Sequence, residues 1–329
     1  MAVDPETQVG EPADQNVAGP VGPGSVGHPV AGGHRRCLDV LHGPHATSLP
    51  RRTPSTDAGP GWLAFRSVSW ILLTNDDGVD SPALPPFRAA LGSLGEVRTV
   101  VPSGQRSWIG KALTRFEPIE LAEVDQAGTT VVTVSGTPAD AVQVAAGYFG
   151  SPPGLVVSGI NIGYNHGAGY IISSGTVGAA FEGWELGIRS VAFSTGVRGS
   201  WHTWYPLMRS ASSAPAWERL AAVCADILGD LLKADLSADV VTVNLPWEAD
   251  LTTARRVVPP ARVTYGQMHQ RLPDGTFTHN YREDFGDIPL DGTDIGVNHA
   301  GEIAITPLMA PASPPVAEGD RTRLERLPA

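Results

Sequence analysis

Two adjacent aspartates, Asp76 and Asp77, stand just beyond the apolar run SVSWILLT and just before Gly78. Inside a strand, neighbouring side chains point to opposite faces, and two such carboxylates cannot share a ligand. At a strand's end the backbone can turn, and glycine supplies the freedom to do so. Two carboxylates meeting there make an all-oxygen site for a hard cation such as Mg2+ or Mn2+. In open α/β sheets this edge is also where ligands bind. NDDG is ordinary turn chemistry as well, and on this motif alone a solvated turn is the plainer reading.

A second stretch, SGINIGYNHGAG (Ser158–Gly169), is rich in glycine and amides and poor in charge. Asn161 and Asn165 offer neutral oxygen and nitrogen groups to a metal, a phosphate or a sugar. His166 beside them is a candidate acid, base or phosphate donor; equally, it caps a backbone carbonyl in a common Gly-Asn turn. In the third stretch, SSGTVGAAFEGWELG (Ser173–Gly187), small residues precede a helix. Free N–H groups at Ser174, Gly175 and Thr176, with the helix dipole, make a phosphate cradle. The alternative is a simple N-cap with close packing on the sheet. It is not a Walker loop, because no GK[ST] follows, and no GxGxxG fingerprint is present. Thr137-Pro138-Ala139-Asp140 imitates a catalytic cluster, but cap, proline and acid at those offsets are a complete helix start. Together the three stretches place two carboxylates, two amides and a phosphate cradle after three different strands of one sheet. Metal-assisted phosphate ester hydrolysis needs that constellation.

The elements that must position these groups can be read from patterning. SVSWILLT is a buried strand opening into a loop. Ser81-Pro82 reads as an N-cap with proline at the first helical position. Strand-like VRTVVP follows, then β-like segments at Ile119–Val124 and Thr129–Val134, and a helix from Thr137 to near Gly150. Leu155–Val157 is a short buried strand, a helix begins near Gly175, and SVAFST is strand-like. A helix from about Pro215 to Leu232 carries Leu220, Val223, Ile227 and Leu231 at helical spacing, and strand-like VVTVNLP comes after it. Buried strands alternating with amphipathic helices predict an α/β domain, residues 67–250, around a mostly parallel sheet. Beyond residue 250 the helical period vanishes. Residues 251–308 read as an appended β-rich segment and 309–329 as a disordered Pro-rich tail.

Residues 1–66 are crowded with Gly, Pro and Ala and show no sustained period, so disorder is expected there. His28, His34, His42 and His45 lie in this tail; solvated low-complexity sequence, rather than a metal site, is their ordinary reading. The composition of the 329-residue chain, 42% hydrophobic and 17% charged, is that of a soluble globular protein. A net charge of −11 argues against a nucleic-acid-coating surface. Small phosphorylated substrates stay open, because a bound cation reverses the local field. No apolar run is long enough to cross a membrane, and the N-terminus lacks the pattern of a secretory signal. Cys37 and Cys224 carry no CxxC or zinc spacing, which fits a reduced, cytoplasmic setting.

LLTNDDG (Leu72–Gly78), SGTPAD (Ser135–Asp140), VVSGINIGYN (Val156–Asn165) and SGTVGAAFEG (Ser174–Gly183) closely resemble the signatures of the SurE 5'-nucleotidases, in the same order. DGTDIGVNHAGEIAITPL resembles that family's closing segment, so the likeness spans roughly Trp70 to Leu308. It implies a Rossmann-like three-layer core and hydrolysis of nucleoside monophosphates. It also implies one divalent metal ion per subunit, held by two aspartates, a serine and an asparagine: here Asp76, Asp77, Ser107 and Asn161. Homodimers or homotetramers joined by exchanged C-terminal segments are implied too. Ser107 sits in QRSWIGKALT, where the family usually has Ser-Gly-x-Ser; Trp108 replaces the glycine and Gly110 the second serine. Trp108 could stack on a base and Lys111 contact phosphate, or both could face solvent. Under this reading Asp76 and Asp77 are catalytic, with Asp76 preferred to orient the attacking water. Ser174, Gly175 and Thr176 hold the phosphate, with Asn165 assisting. A covalent aspartyl-phosphate route lacks its DxDx[TV] pattern. The rivals are a catalytically silent nucleotide- or metal-binding protein on the same fold and, on the α/β pattern alone, an NAD-type oxidoreductase.

Overall fold

The computed structural model describes residues 36–37, 69–126, 128–281 and 285–325. The expected N-terminal tail, with its four histidines, lies outside these residues except for Arg36–Cys37, as do the last four residues of the C-terminal tail.

Strand β2 (Ile71–Thr74) is buried along its length, as a central parallel strand must be. It pairs in parallel with β3 (Val97–Pro102) on one side and β6 (Leu155–Ile162) on the other. Beyond β3 lie β5 (Thr129–Val134), β4 (Leu121–Gln126) and the two-residue β1 (Arg36–Cys37). Beyond β6 lie β7 (Arg189–Gly196), β8 (Val240–Pro246), β12 (Ile303–Leu308) and β9 (Arg255–Val257). The strands β5, β3, β2, β6, β7 and β8 run parallel; β4 and β12 are antiparallel to their inner neighbours. Chain order reverses between β2 and β6, and in doubly wound sheets the crevice at such a reversal binds ligands.

Successive residues of the first strand region serve opposite layers. Ile71 and Leu73 join a core with Phe87 and Leu91 of α1 (Leu84–Leu91) and with Trp217, Leu220 and Ile227 of α6 (Ala214–Leu231). Trp70 and Leu72 join Ala141, Val142 and Ala145 of α2 (Pro138–Tyr148) and Ala179 of α4 (Gly175–Glu185). Each large apolar side chain buried in this way contributes about 1.5–3 kcal/mol. The result is the expected three-layer sandwich.

Local signals act as the sequence predicts at α2. The Thr137 hydroxyl accepts from Asp140 N–H at 3.1 Å, and Asp140 Oδ2 accepts from Thr137 N–H at 2.8 Å, a complete capping box. At α1 the expectation fails by two residues. Leu84 N–H bonds Ser81 C=O in a turn, the cap is Ala83 with no side-chain bond, and Pro85 and Pro86 occupy the first helical turn. Proline lacks an N–H that the first turn cannot use anyway, so the later pair starts the helix equally well.

Three short helices lay outside the expected pattern: α3 (Ala168–Ser173), α5 (Trp201–Met208) and α7 (Asp294–His299). The last corrects the view that helix ends at residue 250; six residues are too few to display a 3.6-residue period. In the C-terminal segment, β12 and β9 extend the main sheet, while β10 (His269–Arg271) and β11 (Phe277–His279) form a separate hairpin. An exposed helix, α8 (Glu318–Leu324), follows, a fourth outside the expected pattern and within the segment that the sequence reads as a disordered tail. No helix among the described residues is long and apolar enough to cross a membrane, and Cys224 is a buried free thiol.

Candidate active site

The turn after β2 is built by Asn75 and Gly78. Asn75 accepts from Gly78 N–H and donates to Gly78 C=O, both at 3.0 Å. Gly78 has φ +84°, and a Cβ there would lie 2.8 Å from the Gly104 carbonyl carbon. The turn therefore meets the loop after β3 backbone to backbone, and Arg106 N–H donates to Asp76 C=O at 2.7 Å. Asp76 and Asp77 are 5% and 4% exposed, which replaces the solvated-turn reading.

Asp76 Oδ1 accepts the Thr176 hydroxyl at 2.6 Å, and Asp77 Oδ2 accepts Ile162 N–H at 3.1 Å. No ion pair among the described residues includes either carboxylate. Burial pushes the Asp76 carboxyl up to about 6, against the lowering effect of Thr176. Burial, then the charge of Asp76, pushes Asp77 up to about 7. Ile162 N–H and the charge of Arg209, just beyond α5, pull Asp77 slightly back. Two buried carboxylates that repel one another are a fit for a divalent cation. Among the described residues no set of three or more His, Cys, Asp or Glu side chains gathers around a possible ion. Any cation held by the pair would need neutral oxygens to complete its shell.

Asn161 is the residue before Ile162, whose N–H Asp77 accepts. The β6–β7 register runs Ser158↔Ala192 and then Asn161↔Ser194, two residues facing one, which is a bulge. Asn161 Nδ2 donates to Gly163 C=O at 2.7 Å, leaving its carbonyl oxygen as the donor atom for a cation. Ser107 follows Arg106 on the exposed loop after β3, and its hydroxyl accepts from the Gln105 side chain at 2.9 Å. Gln105 in turn accepts from Tyr205 of α5 at 3.2 Å.

The start of α4 abuts the pair. Ser174 caps it, accepting from Val177 N–H at 3.1 Å. A Cβ on Gly175 would sit 3.0 Å from Asp76 and 3.1 Å from Arg106 C=O, so only glycine fits without displacement. Thr176 spends its hydroxyl on Asp76 and thus positions the carboxylate. Asn161 lies within β6, Asn165 and this cradle both follow it, Ser107 comes after β3 and the aspartates after β2. The expectation of one group per strand is corrected accordingly: α3 is too short to carry the chain to another strand.

Asn165 and His166 are bound into the framework. Asn165 Nδ2 donates to Ser194 Oγ at 2.8 Å, and its backbone N–H donates to Asn244 Oδ1 at 2.9 Å. Asn298 Nδ2 donates to the carbonyls of Asn244 and Glu302, at 2.9 and 3.1 Å, which leaves its Oδ1 to accept from His166 Nδ1–H at 2.9 Å. Burial pushes His166 down to about 4, more than the Asn298 bond raises it, so the ring is neutral at pH 7. Asp294 ties the same loop to α7, accepting from Gly167, Ala261 and Ile295 N–H, each at 2.8 Å. Lys111 pairs with buried Glu182 at 2.5 Å. Asn244, Asp294, Asn298 and Arg209 were missed from the sequence. Asn244, a lone amide inside the apolar run VVTVNLP, left a usable signal, and Asp294 and Asn298 lie in the segment DGTDIGVNHAGEIAITPL, which was recognised without a role for either.

The fold and this geometry define a doubly wound α/β protein with an acidic, cation-accepting site at its switch point. The profile of the family described as Survival protein SurE matches residues 71–269. A 5'-nucleotidase SurE from Methanopyrus kandleri is 37% identical over 249 residues, covering 72% of this chain and 90% of the relative. One from Archaeoglobus fulgidus is 36% identical over 242 residues, covering 72% and 90%. The crystal structure of the SurE protein from Aquifex aeolicus aligns with a TM-score of 0.58 at 33% identity, covering 73% of this chain and 93% of that one. The chain belongs to the SurE family.

Proposed function

We propose that the protein is a divalent-metal-dependent 5'-nucleotidase, hydrolysing nucleoside monophosphates to nucleoside and phosphate. The observation that carries this reading is the buried, mutually repelling Asp76–Asp77 pair set against the start of α4. Asp76 and Asp77, with Asn161 and Ser107, would hold one Mg2+ or Mn2+, which would supply Lewis acidity toward the phosphate and lower the pKa of a water. Asp76, fixed by Thr176, orients the attacking water. Asp77, fixed by Ile162 N–H, holds its carboxylate in place opposite the bulge of β6. Ser174 and Gly175 present the helix N-terminus to the phosphate oxygens. Thr176 and Asn165 complete the phosphate side, the latter through the amide hydrogen not given to Ser194. His166 is neutral and buried, so it keeps the loop's shape rather than carrying charge to the phosphate.

The same reading includes a homodimer or homotetramer assembled through residues 251–308. The β10–β11 hairpin there carries exposed Leu272 and Phe277; sedimentation of the full chain checks the assembly. It also places the enzyme in the cytoplasm. The deciding experiment measures phosphate release from a panel of nucleoside monophosphates with Mg2+, Mn2+ or chelator, for wild type and Asp76→Asn. Metal-dependent release that disappears in the variant supports the reading. No release from any nucleotide, with Mn2+ still bound, would leave a silent binding protein in its place.

A further inference from the structure

Trp108 occupies a backbone position made for a smaller residue. Its φ is +57°, the left-handed region that favours glycine, and the family likeness leads one to expect glycine there. The strain is kept in a loop pinned to the site at both ends. Two residues before Trp108, Arg106 N–H bonds Asp76 C=O at 2.7 Å; two residues after it, Gly110 N–H bonds Ser173 C=O at 2.9 Å, next to the capping serine of α4. Strained residues held in this way cluster at ligand clamps.

Around the indole stand Tyr265, Tyr281, His279 and Tyr170, with ring centroids 5.2, 5.6, 5.9 and 6.1 Å away. Their planes make angles of 86, 56, 52 and 50° with it, so none stacks flat on its face. The indole is nevertheless 40% exposed. Tyrosine hydroxyls are used internally: Tyr265 with Ser173 Oγ at 2.7 Å, Tyr170 with Tyr281 at 2.6 Å. What remains is a rigid aromatic wall within a few residues of the phosphate cradle.

We propose that Trp108, framed by Tyr265 and Tyr281, is the stacking wall for the substrate's nucleobase, selecting nucleotides over base-free sugar phosphates. The proposal rests on the 5'-nucleotidase reading for the placement of the phosphate. Every base has a π-face, so such a wall binds bases without a hydrogen-bond code.

The test compares wild type with Trp108→Gly, which suits the backbone, and Trp108→Phe, which keeps a ring. Steady-state rates are measured for adenosine 5'-monophosphate and ribose 5-phosphate, and adenosine binding to the metal-free protein is measured by calorimetry. In Trp108→Gly the kcat/KM ratio of nucleotide to sugar phosphate should fall about tenfold through KM, with adenosine affinity falling alike and Phe restoring most of both. Equal loss on both substrates, an unchanged ratio, or unchanged adenosine affinity would overturn the wall. If neither phosphate is hydrolysed, the 5'-nucleotidase reading fails and the adenosine titration alone decides.

Discussion

The Thr176 hydroxyl donates to Asp76 Oδ1 at 2.6 Å across 100 residues of sequence, from the first turn of α4 to the end of β2. A helix N-terminus favours negative charge nearby, and this bond favours the ionised carboxylate. Burial outweighs both, because the carboxyl still sits above its ordinary range. The site thus holds its charge at a cost, and a cation relieves that cost.

Asp77→Asn should separate stability from activity. The amide keeps an oxygen for Ile162 N–H but removes a buried charge that Asp76 repels. Metal-free stability should rise on the order of 1–3 kcal/mol. Phosphate release should fall by more than about a hundredfold, the scale for removing a group that acts on transition-state charge. Thermal melts in chelator and rate assays check the two halves, and a variant less stable than wild type would contradict the electrostatic account.

Metal binding should weaken with acid. Unfolded, these carboxyls titrate near 3.8; folded without metal, Asp76 holds its proton up to about 6 and Asp77 up to about 7. The folded state therefore binds more protons across that window, and the metal-free protein gains stability from this pair as pH falls through it. His166 acts oppositely, since its folded value of about 4 lies below the ordinary 6.5. Comparing melts with and without Mn2+ cancels His166. The Tm increment should be large at about pH 8 and shrink towards about pH 5.5; a constant increment would refute the carboxylate pair as the metal's seat.

Gly175→Ala should cost activity with little loss of fold. Its Cβ would press on Asp76 at 3.0 Å, and misplacing a reacting group by a fraction of an ångström costs roughly ten- to a hundredfold. Gly147→Ala, on the exposed side of α2 with open space around its Cβ, is the contrast. It should raise stability by about 0.4–1 kcal/mol and leave turnover alone. Equal activity in the two variants would dismiss the close approach of α4.

Asp294→Ala should destabilise by about 3 kcal/mol or more, because the N–H groups of Gly167, Ala261 and Ile295 all lose a buried acceptor. Denaturant unfolding reads this directly. A change under about 1 kcal/mol would mean that the loop and α7 are held together by other means.

The parts of this molecule legible in the sequence are those where local chemistry and tertiary position agree. ILLT followed by NDDG announces a buried strand that stops, and the carboxylates stand where it stops. Thr137 and Asp140 announce a helix start and make one. Ser81 announces another, but the helix is capped two residues later at Ala83, with Pro85 and Pro86 in its first turn. Arg209 left no trace, and Asp294, though inside the recognised closing segment, carried no role, because their partners, Asp77 and Gly167, come from distant parts of the chain that only the fold brings near. Trp108 was visible as an oddity, but its left-handed backbone was not.

The bulge in β6 has a consequence for chain length. Because Gly159 and Ile160 together face one residue of β7, everything from Asn161 onward is displaced by one step relative to its neighbour. Deleting either residue would let β6 pair evenly, with Asn161 still opposite Ser194, and would remove the bend and extra twist that the bulge gives the strand just before the asparagine. The sheet would survive such an edit, while the stretch of β6 that offers Ile162 N–H to Asp77 would be re-aimed. At this point of the chain, one codon sets the aim of the strand end without setting its pairing.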